Sequence, residues 1–183
     1  MRGVILYGPP AAGKDTVTTA LHELDSGYKL FRRLKAGSGR TSGYRMTDEA
    51  TLDMLHRRGE VVWENRRYGA RYVIDGPSLV QKLHDGIPIV HLGQREAVAA
   101  VTRAVPDARW LVVSLWCPRK VAEQRIIARK TGDTTERLSA WDATETLTEA
   151  DLTLNTDDLT PRLAAERIHR HVMRDERPSA WAE

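Results

Sequence analysis

Apolar and polar positions recur along this chain with two periods, one near two residues and one near 3.6. Val4-Ile5-Leu6-Tyr7 is an apolar, β-branched run that stops at Gly8-Pro9-Pro10-Ala11-Ala12-Gly13, which predicts a strand ended by a turn. Val17, Ala20, Leu21 and Leu24 then follow helical spacing, so a helix is expected from about Gly13, ending before Gly27. From Tyr28 to about Gly43 the chain is polar, basic and Gly-rich, with no clean period. A further helix is expected from Thr47, where Asp48 and Glu49 suit the first turn and Leu52 and Leu55 share a face. Val61-Val62-Trp63 and Tyr72-Val73-Ile74 read as short strands around a charged tip at Glu64 to Arg67.

Pro77 is placed to open a helix carrying Leu79, Val80 and Leu83, and Gly86 closes it. Pro88 to Leu92 reads as a buried strand, and Ala97, Val98, Val101 and Ala104 mark the next helix. Trp110 to Leu115 is the clearest strand. A helix from Pro118 then gives way to a polar stretch, Arg129 to Arg137. A strand near Leu152 to Leu154 and a helix from about Leu159 to Val172 complete the order, with a frayed tail after Arg174. Strands alternating with helices predict an α/β fold with a parallel core sheet. Residues 31–85 and the Arg-rich segment after 125 break that alternation.

Composition narrows the function. A chain of 183 residues with 41% hydrophobic and 29% charged residues is expected to form one globular domain. Lys plus Arg number 28 against 25 for Asp plus Glu, with both signs mixed, and no basic stripe carries interleaved aromatics, so no nucleic-acid partner is expected. Cys117 is the one cysteine, which excludes an internal disulfide framework and a Cys-rich zinc site. No stretch approaches 18 uninterrupted apolar residues, so a cytoplasmic protein without membrane contact is expected. The oligomeric state is not set by these features.

Gly8-Pro9-Pro10-Ala11-Ala12-Gly13-Lys14 matches G-x-x-x-x-G-K between a strand and a helix. Glycines at those places let the backbone curl with its N–H groups inward, the helix N-terminus adds positive potential, and Lys14 supplies a mobile cation for phosphates. The motif's next residue is Ser or Thr, whose hydroxyl binds magnesium; here Asp15 stands there, followed by Thr16. Asp15 is either a magnesium ligand or a helix N-terminal cap, and Thr16 is the alternative hydroxyl donor. Asp75 ends an apolar strand and is read as a helix cap in Asp75-Gly76-Pro77-Ser78. His91, at the end of a core strand, is either a satisfied core histidine or a group facing the ligand cleft.

Beyond the phosphate loop, the chain resembles the guanylate kinase family of nucleoside-monophosphate kinases and the related ribose 1,5-bisphosphate phosphokinases. Tyr68-Gly69 resembles the Tyr-Gly of the family's substrate domain, and Arg32-x-x-Lys35-Ala36-Gly37 its Arg-x-x-Arg-Ala-Gly stretch. Tyr44 falls where the family has a phosphate-contacting tyrosine. Arg125-x-x-x-Arg129 with Thr131-Gly132-Asp133 and Arg137 is similar to the family's lid, and Leu154-Asn155-Thr156-Asp157-Asp158-Leu159 to the segment beside the adenine. Two departures stand out. Val62 or Trp63 occupies the position of one guanine-reading acidic residue, and His91 and Gly93 stand where Asp is expected for the other. Apolar groups cannot accept hydrogen bonds from guanine, so the resemblance implies a phosphorylated acceptor other than GMP.

The resemblance thus implies a three-layer P-loop kinase fold: a core of residues 1–30, 86–124 and 140–183, an acceptor-binding insertion at 31–85, and a short lid at 125–139. It implies transfer of the γ-phosphoryl of ATP, with Mg²⁺, onto a phosphate of a small phosphorylated acceptor. Lys14, Arg125, Arg129 and Arg137 would be catalytic; Gly8, Ala11, Ala12, Gly13, Asp15, Thr16 and Asn155 would bind ATP; Arg32, Lys35, Tyr44, Trp63, Tyr68, Gly69, His91 and Gly93 would hold the acceptor. A sugar-phosphate kinase and a non-catalytic guanylate-kinase-like binding module are the rival readings.

Overall fold

The structure, a computed structural model, describes residues 1–67 and 69–174. Five strands form an all-parallel core sheet: β1 (Arg2–Tyr7), β2 (Tyr28–Leu30), β7 (Ile87–Leu92), β8 (Arg109–Trp116) and β9 (Leu152–Asn155), in the order β2-β7-β1-β8-β9. Alternate residues of each central strand face opposite ways, as the two-residue period requires. Val4 and Leu6 of β1, Ile89 of β7 and Leu111 and Val113 of β8 pack against α1 (Lys14–Leu24) and α7 (Pro161–Met173), through Val17, Leu21, Ala165 and Ile168. Ile5, Tyr7, Val90 and Val112 face the other way, onto α3 (Gly76–His84) and α4 (Arg95–Ala104), through Leu79, Val98 and Val101. Both faces are therefore covered, which gives three layers and explains the near-continuous apolar runs in these strands.

A second sheet, β4-β3-β6-β5, is built from β3 (Leu34–Gly37), β4 (Arg45–Met46), β5 (Val61–Arg67) and β6 (Ala70–Asp75). Cross-strand partners share a face, so pairing Leu34 and Glu64 with Val73, and Ala36 and Arg66 with Arg71, puts those residues on one side. That side packs on α2 (Glu49–Arg57), where Leu52 is fully buried against Ala36 and Val73. Asp48 caps α2 by accepting from the Thr51 N–H at 2.7 Å, and Asp75 caps α3. Beside Leu52 the buried Arg71 donates to Asp53 at 2.7 Å, Glu64 at 2.8 Å and Glu49 at 3.1 Å.

Three expectations are corrected. Residues 28–43, expected to lack a period, contain β2 and β3, strands of only three and four residues, too short for an alternation such as Leu34-Lys35-Ala36 to stand out. Glu64 to Arg67 is not a tip but a continuation of β5, because Glu64 pairs with Val73 and Arg66 with Arg71 in the ladder; the turn lies beyond, with Gly69 at φ +67°. The polar stretch after Arg129 runs into α6 (Thr134–Asp142), which follows α5 (Arg119–Ala128) and meets it through the half-buried Leu138 and Trp141 and an Arg119–Asp142 ion pair. Tyr68 and the tail after Arg174 lie outside the described residues. Among the described residues, no helix is long and apolar enough to cross a membrane.

Because Leu52 carries the apolar contact between α2 and the second sheet, Leu52→Ala should cost about 2–4 kcal/mol of unfolding free energy. Leu163, on the exposed side of α7, should cost less than about 1 kcal/mol on the same change. Urea denaturation of both variants measures the difference; equal losses would show that α2 is not held by this contact.

Candidate functional site

The site begins where β1 ends. The chain leaves the sheet at Gly8, whose φ is +150° and where a Cβ would stand 2.2 Å from the Leu115 carbonyl oxygen, so no side chain fits. Gly13 closes the loop at φ +92° and is the N-cap of α1. The Lys14 ammonium folds back along this loop, donating to the carbonyls of Gly8 at 2.5 Å and Pro9 at 2.8 Å. Burial, aided by the cations Arg33 and Arg129, pulls its pKa down to about 8. Arg125, on α5, ties the loop from outside by donating to the Ala11 carbonyl at 3.2 Å and to Thr156 through Oγ1 and the carbonyl at 3.0 Å.

A cleft of about 190 Å³ opens in front of Lys14. Gly8, Ala11, Ala12 and Gly13 form its floor, and His91, Gly93 and Gln94 one wall. Arg33, Arg40, Tyr44, Asn65 and Arg67 reach it from the second sheet and its loops, and Arg129, Arg137 and Thr144 from the segment after α5. Among the described residues, Asp15 is the one carboxylate lining this cleft. Burial disfavours the Asp15 carboxylate, but His91, Arg40 and Arg129 outweigh that and hold it below the usual range. His91 is the reverse case: burial and Lys14 push it far down, so the imidazole is neutral at neutral pH. Its Nε2 lies 2.7 Å from the Thr18 hydroxyl and its Nδ1 3.5 Å from Asp15, which fits a ring that accepts from Thr18 and donates toward the carboxylate.

The expected residues separate. Lys14, Asp15, Tyr44, His91, Gly93, Arg129 and Arg137 come together around the cleft. Gly93 serves close approach: a Cβ there would touch the Gly8 carbonyl at 3.4 Å. Thr16 and Arg125 instead line a neighbouring hollow of about 530 Å³, with Val17, Thr156, Leu159 and Ala164. Arg129 lines both spaces. Asn155 is occupied in its own turn, donating to Asp158 at 2.6 Å and accepting from the Asp157 N–H. Arg32 faces a third hollow beside α1 and β2, along with Lys29 and Arg40. The Lys35 ammonium donates to the carbonyls of Ser38 at 2.6 Å and Arg40 at 2.7 Å, which fixes the loop that carries Arg40. Trp63 packs on the α3 and α4 side of the core, and Gly69 sits at the hairpin turn.

Arg33, Arg40, Asn65 and Arg67 were not singled out from the sequence. Two of them carried a signal: in β5 the two-residue period places 65 and 67 opposite 64 and 66, so Glu64 and the cleft residues cannot share a side. Arg33 lies over the rings of Tyr72 and Tyr44, 5.3 and 5.8 Å from their centroids, which aims it into the cleft where Arg32 turns away. As for a metal, no group of three or more His, Cys, Asp or Glu side chains is poised to hold one among the described residues. Magnesium on nucleotide phosphates asks for less, since one carboxylate with phosphate oxygens and water suffices. Asp15 fits that need beside Lys14; Thr16, facing the other hollow, does not.

No protein-family model and no curated protein matches this chain. Among solved structures it is similar to a guanylate kinase from Anaplasma phagocytophilum, at 12% identity and a TM-score of 0.57 over 96% of this chain and 87% of that one. It is also similar to the protein titled APE1195, at 18% identity and a TM-score of 0.57 over 93% of this chain and 94% of that one. The chain has a guanylate kinase-like P-loop fold, with a parallel core sheet and helices on both faces.

Lys14 gives this site a pH signature. With its pKa near 8, the free lysine is charged below that pH and loses its proton above it, whereas a phosphate at Nζ would hold it charged. Binding a nonhydrolysable ATP analogue should therefore take up about half a proton at pH 8, and affinity should fall as pH rises further. Calorimetry in two buffers of different ionisation enthalpy measures the uptake, which Lys14→Arg should abolish. Proton release on binding would contradict the assignment.

Proposed function

We propose that this chain transfers the γ-phosphoryl group of ATP to a phosphate of a small phosphorylated acceptor, as nucleoside-monophosphate kinases do. The observation that carries the reading is convergence: Lys14 shares one cleft with Arg33, Arg40 and Arg67 on one side and Arg129 and Arg137 on the other. The hollow lined by Val17, Arg125, Leu159 and Ala164 would take the ATP base and sugar, leaving its phosphates on the loop. Asp15 would hold magnesium, which would supply neutralisation of phosphate charge beside Lys14. An acceptor phosphate oxygen then attacks the γ-phosphorus in line, its new P–O bond forming as the bond to ADP breaks. No side-chain nucleophile or base is required, because the acceptor phosphate is already ionised. Lys14, Arg129 and Arg137 supply positive charge where negative charge shifts, and His91 keeps Asp15 oriented. Residues 31–85 would act as the acceptor-binding insertion and 125–139 as the lid, excluding water on closure. A supply of ATP and of phosphorylated metabolites makes the cytoplasm the natural place of action.

A sugar-phosphate acceptor is the second reading, and one observation favours it over GMP. Glu64, the nearest carboxylate in sequence to the guanine-reading position, is turned to the α2 side and bonded to Arg71 and His56, at 2.8 and 3.0 Å. His91 and Gly93 offer no carboxylate either, so neither position that would read guanine supplies one. A coupled ADP-release screen over nucleoside monophosphates and ribose phosphates tests both: the kinase reading requires acceptor-dependent release. ATP binding without release for any acceptor would leave the binding module.

Two kinetic results are expected with the best acceptor. Lys14→Ala should lower kcat/KM by about 10³-fold or more, equivalent to about 4 kcal/mol, without loss of fold. Arg129→Ala and Arg137→Ala should each lower kcat more than they raise the KM for ATP, since lid charges act on the transition state. Parental rates in a folded Lys14→Ala protein would end the kinase reading.

A further inference from the structure

Asn65 stands apart in the cleft. It lies on β5 with its side chain on the side opposite α2, in a cross-strand row with Tyr72 and Lys35. The cations around it already account for phosphate binding, and Tyr44, 5.3 Å from the Tyr72 ring, closes the row. The Asn65 Oδ1 is shielded from solvent and accepts no hydrogen bond among the described residues. A shielded amide oxygen left unpaired is costly, and the cost is recovered when a ligand donor reaches it. Glu64, its chain neighbour, does not compete for that donor, being bonded to Arg71 on the far side of the sheet.

We propose that Asn65 selects the acceptor, its amide oxygen accepting a hydrogen bond from a neutral donor group of the phosphorylated compound, either a sugar hydroxyl or the N–H of a base amide. This deepens the reading under Proposed function and rests on it. The chemistry sets limits. One amide carries one acceptor oxygen and one donor nitrogen, so it matches a hydroxyl, or a base edge that pairs an N–H with a carbonyl. The edge of guanine presents an N–H and an adjacent amino group, two donors side by side, and a carboxylate suits it better. Asn65 is thus a specificity residue: it favours a single donor and works against the double one.

The test compares the parent, Asn65→Leu and Asn65→Asp, each checked for a parental melting temperature and parental affinity for a nonhydrolysable ATP analogue. The acceptors are ribose 5-phosphate, ribose 1,5-bisphosphate, UMP, IMP and GMP. For the best acceptor of the parent, Asn65→Leu should raise KM tenfold or more while kcat changes less than threefold. Asn65→Asp should raise the GMP-to-IMP ratio of kcat/KM at least tenfold, because IMP lacks the second donor. A ribose phosphate as best acceptor identifies the donor as a hydroxyl, and UMP or IMP identifies it as a base N–H; both support the proposal. If the parent releases no ADP with any acceptor, the kinase reading has failed, and calorimetric binding of the same compounds decides on Asn65. Tenfold weaker binding to Asn65→Leu supports the proposal. Equal binding to parent and variant, no binding included, or unchanged KM and acceptor ranking in well-folded variants, overturns it.

Discussion

Cations crowd the cleft of this protein, and the chain corrects the imbalance only in part. Lys14, Arg33, Arg40, Arg67, Arg129 and Arg137 line a space of about 190 Å³, and among the described residues Asp15 is the single carboxylate that joins them there. Asp15 meets Arg40 at 3.4 Å, and Asp133 meets Arg137 at 2.7 Å. Like charges this close, partly shielded from water, raise the free energy of the empty site. Lys14 holds its proton less firmly than an exposed lysine, chiefly because it is buried and further because Arg33 and Arg129 stand near it. An anion placed among these cations would relieve the imbalance, and more fully the more charge it brings.

The second sheet handles charge in the opposite way on its two sides. Toward α2, the buried Arg71 is met by Glu49, Asp53 and Glu64, so the cation is satisfied inside the protein. Toward the cleft, Arg33 rests on tyrosine rings and Lys35 is met by the same rings and by carbonyls, neither of which neutralises a positive charge. Strand alternation makes this division possible, because neighbouring residues in one strand are delivered to different surroundings. The acidic side helps keep the sheet on its helix, and the basic side is left for a ligand.

What the sequence disclosed follows the strength of its periodic signals. Val4 to Tyr7 and Trp110 to Leu115 are buried on both sides, and their apolar runs, broken only by Ser114, were unambiguous. The phosphate loop was legible because Gly8 and Gly13 sit at conformations that other residues resist. The short strands β2, β3 and β4 were hidden, since two to four residues cannot display a period. The distinction between Arg32 and Arg33 was hidden for another reason. Neighbouring arginines are equivalent as letters, and only the position of Tyr44 and Tyr72 decides which one enters the cleft. Asn65 needed knowledge of which hydrogen bonds remain unmade, a property that belongs to the folded chain alone.

The link from Arg125 to Ala11 and Thr156 has a mechanical meaning as well. It makes α5 part of the rigid frame, and the left-handed backbone at Lys130 and Gly132 lies just past its end. On the far side of α6, Asp142 is held by Arg119, and the Tyr7 hydroxyl donates to the Glu145 carbonyl at 2.7 Å. The helix between them is a bucket handle, fastened to the body at both ends. A segment tied at both ends must return to the body it left, so Arg129 just before α6 and Arg137 within it are delivered to one cleft.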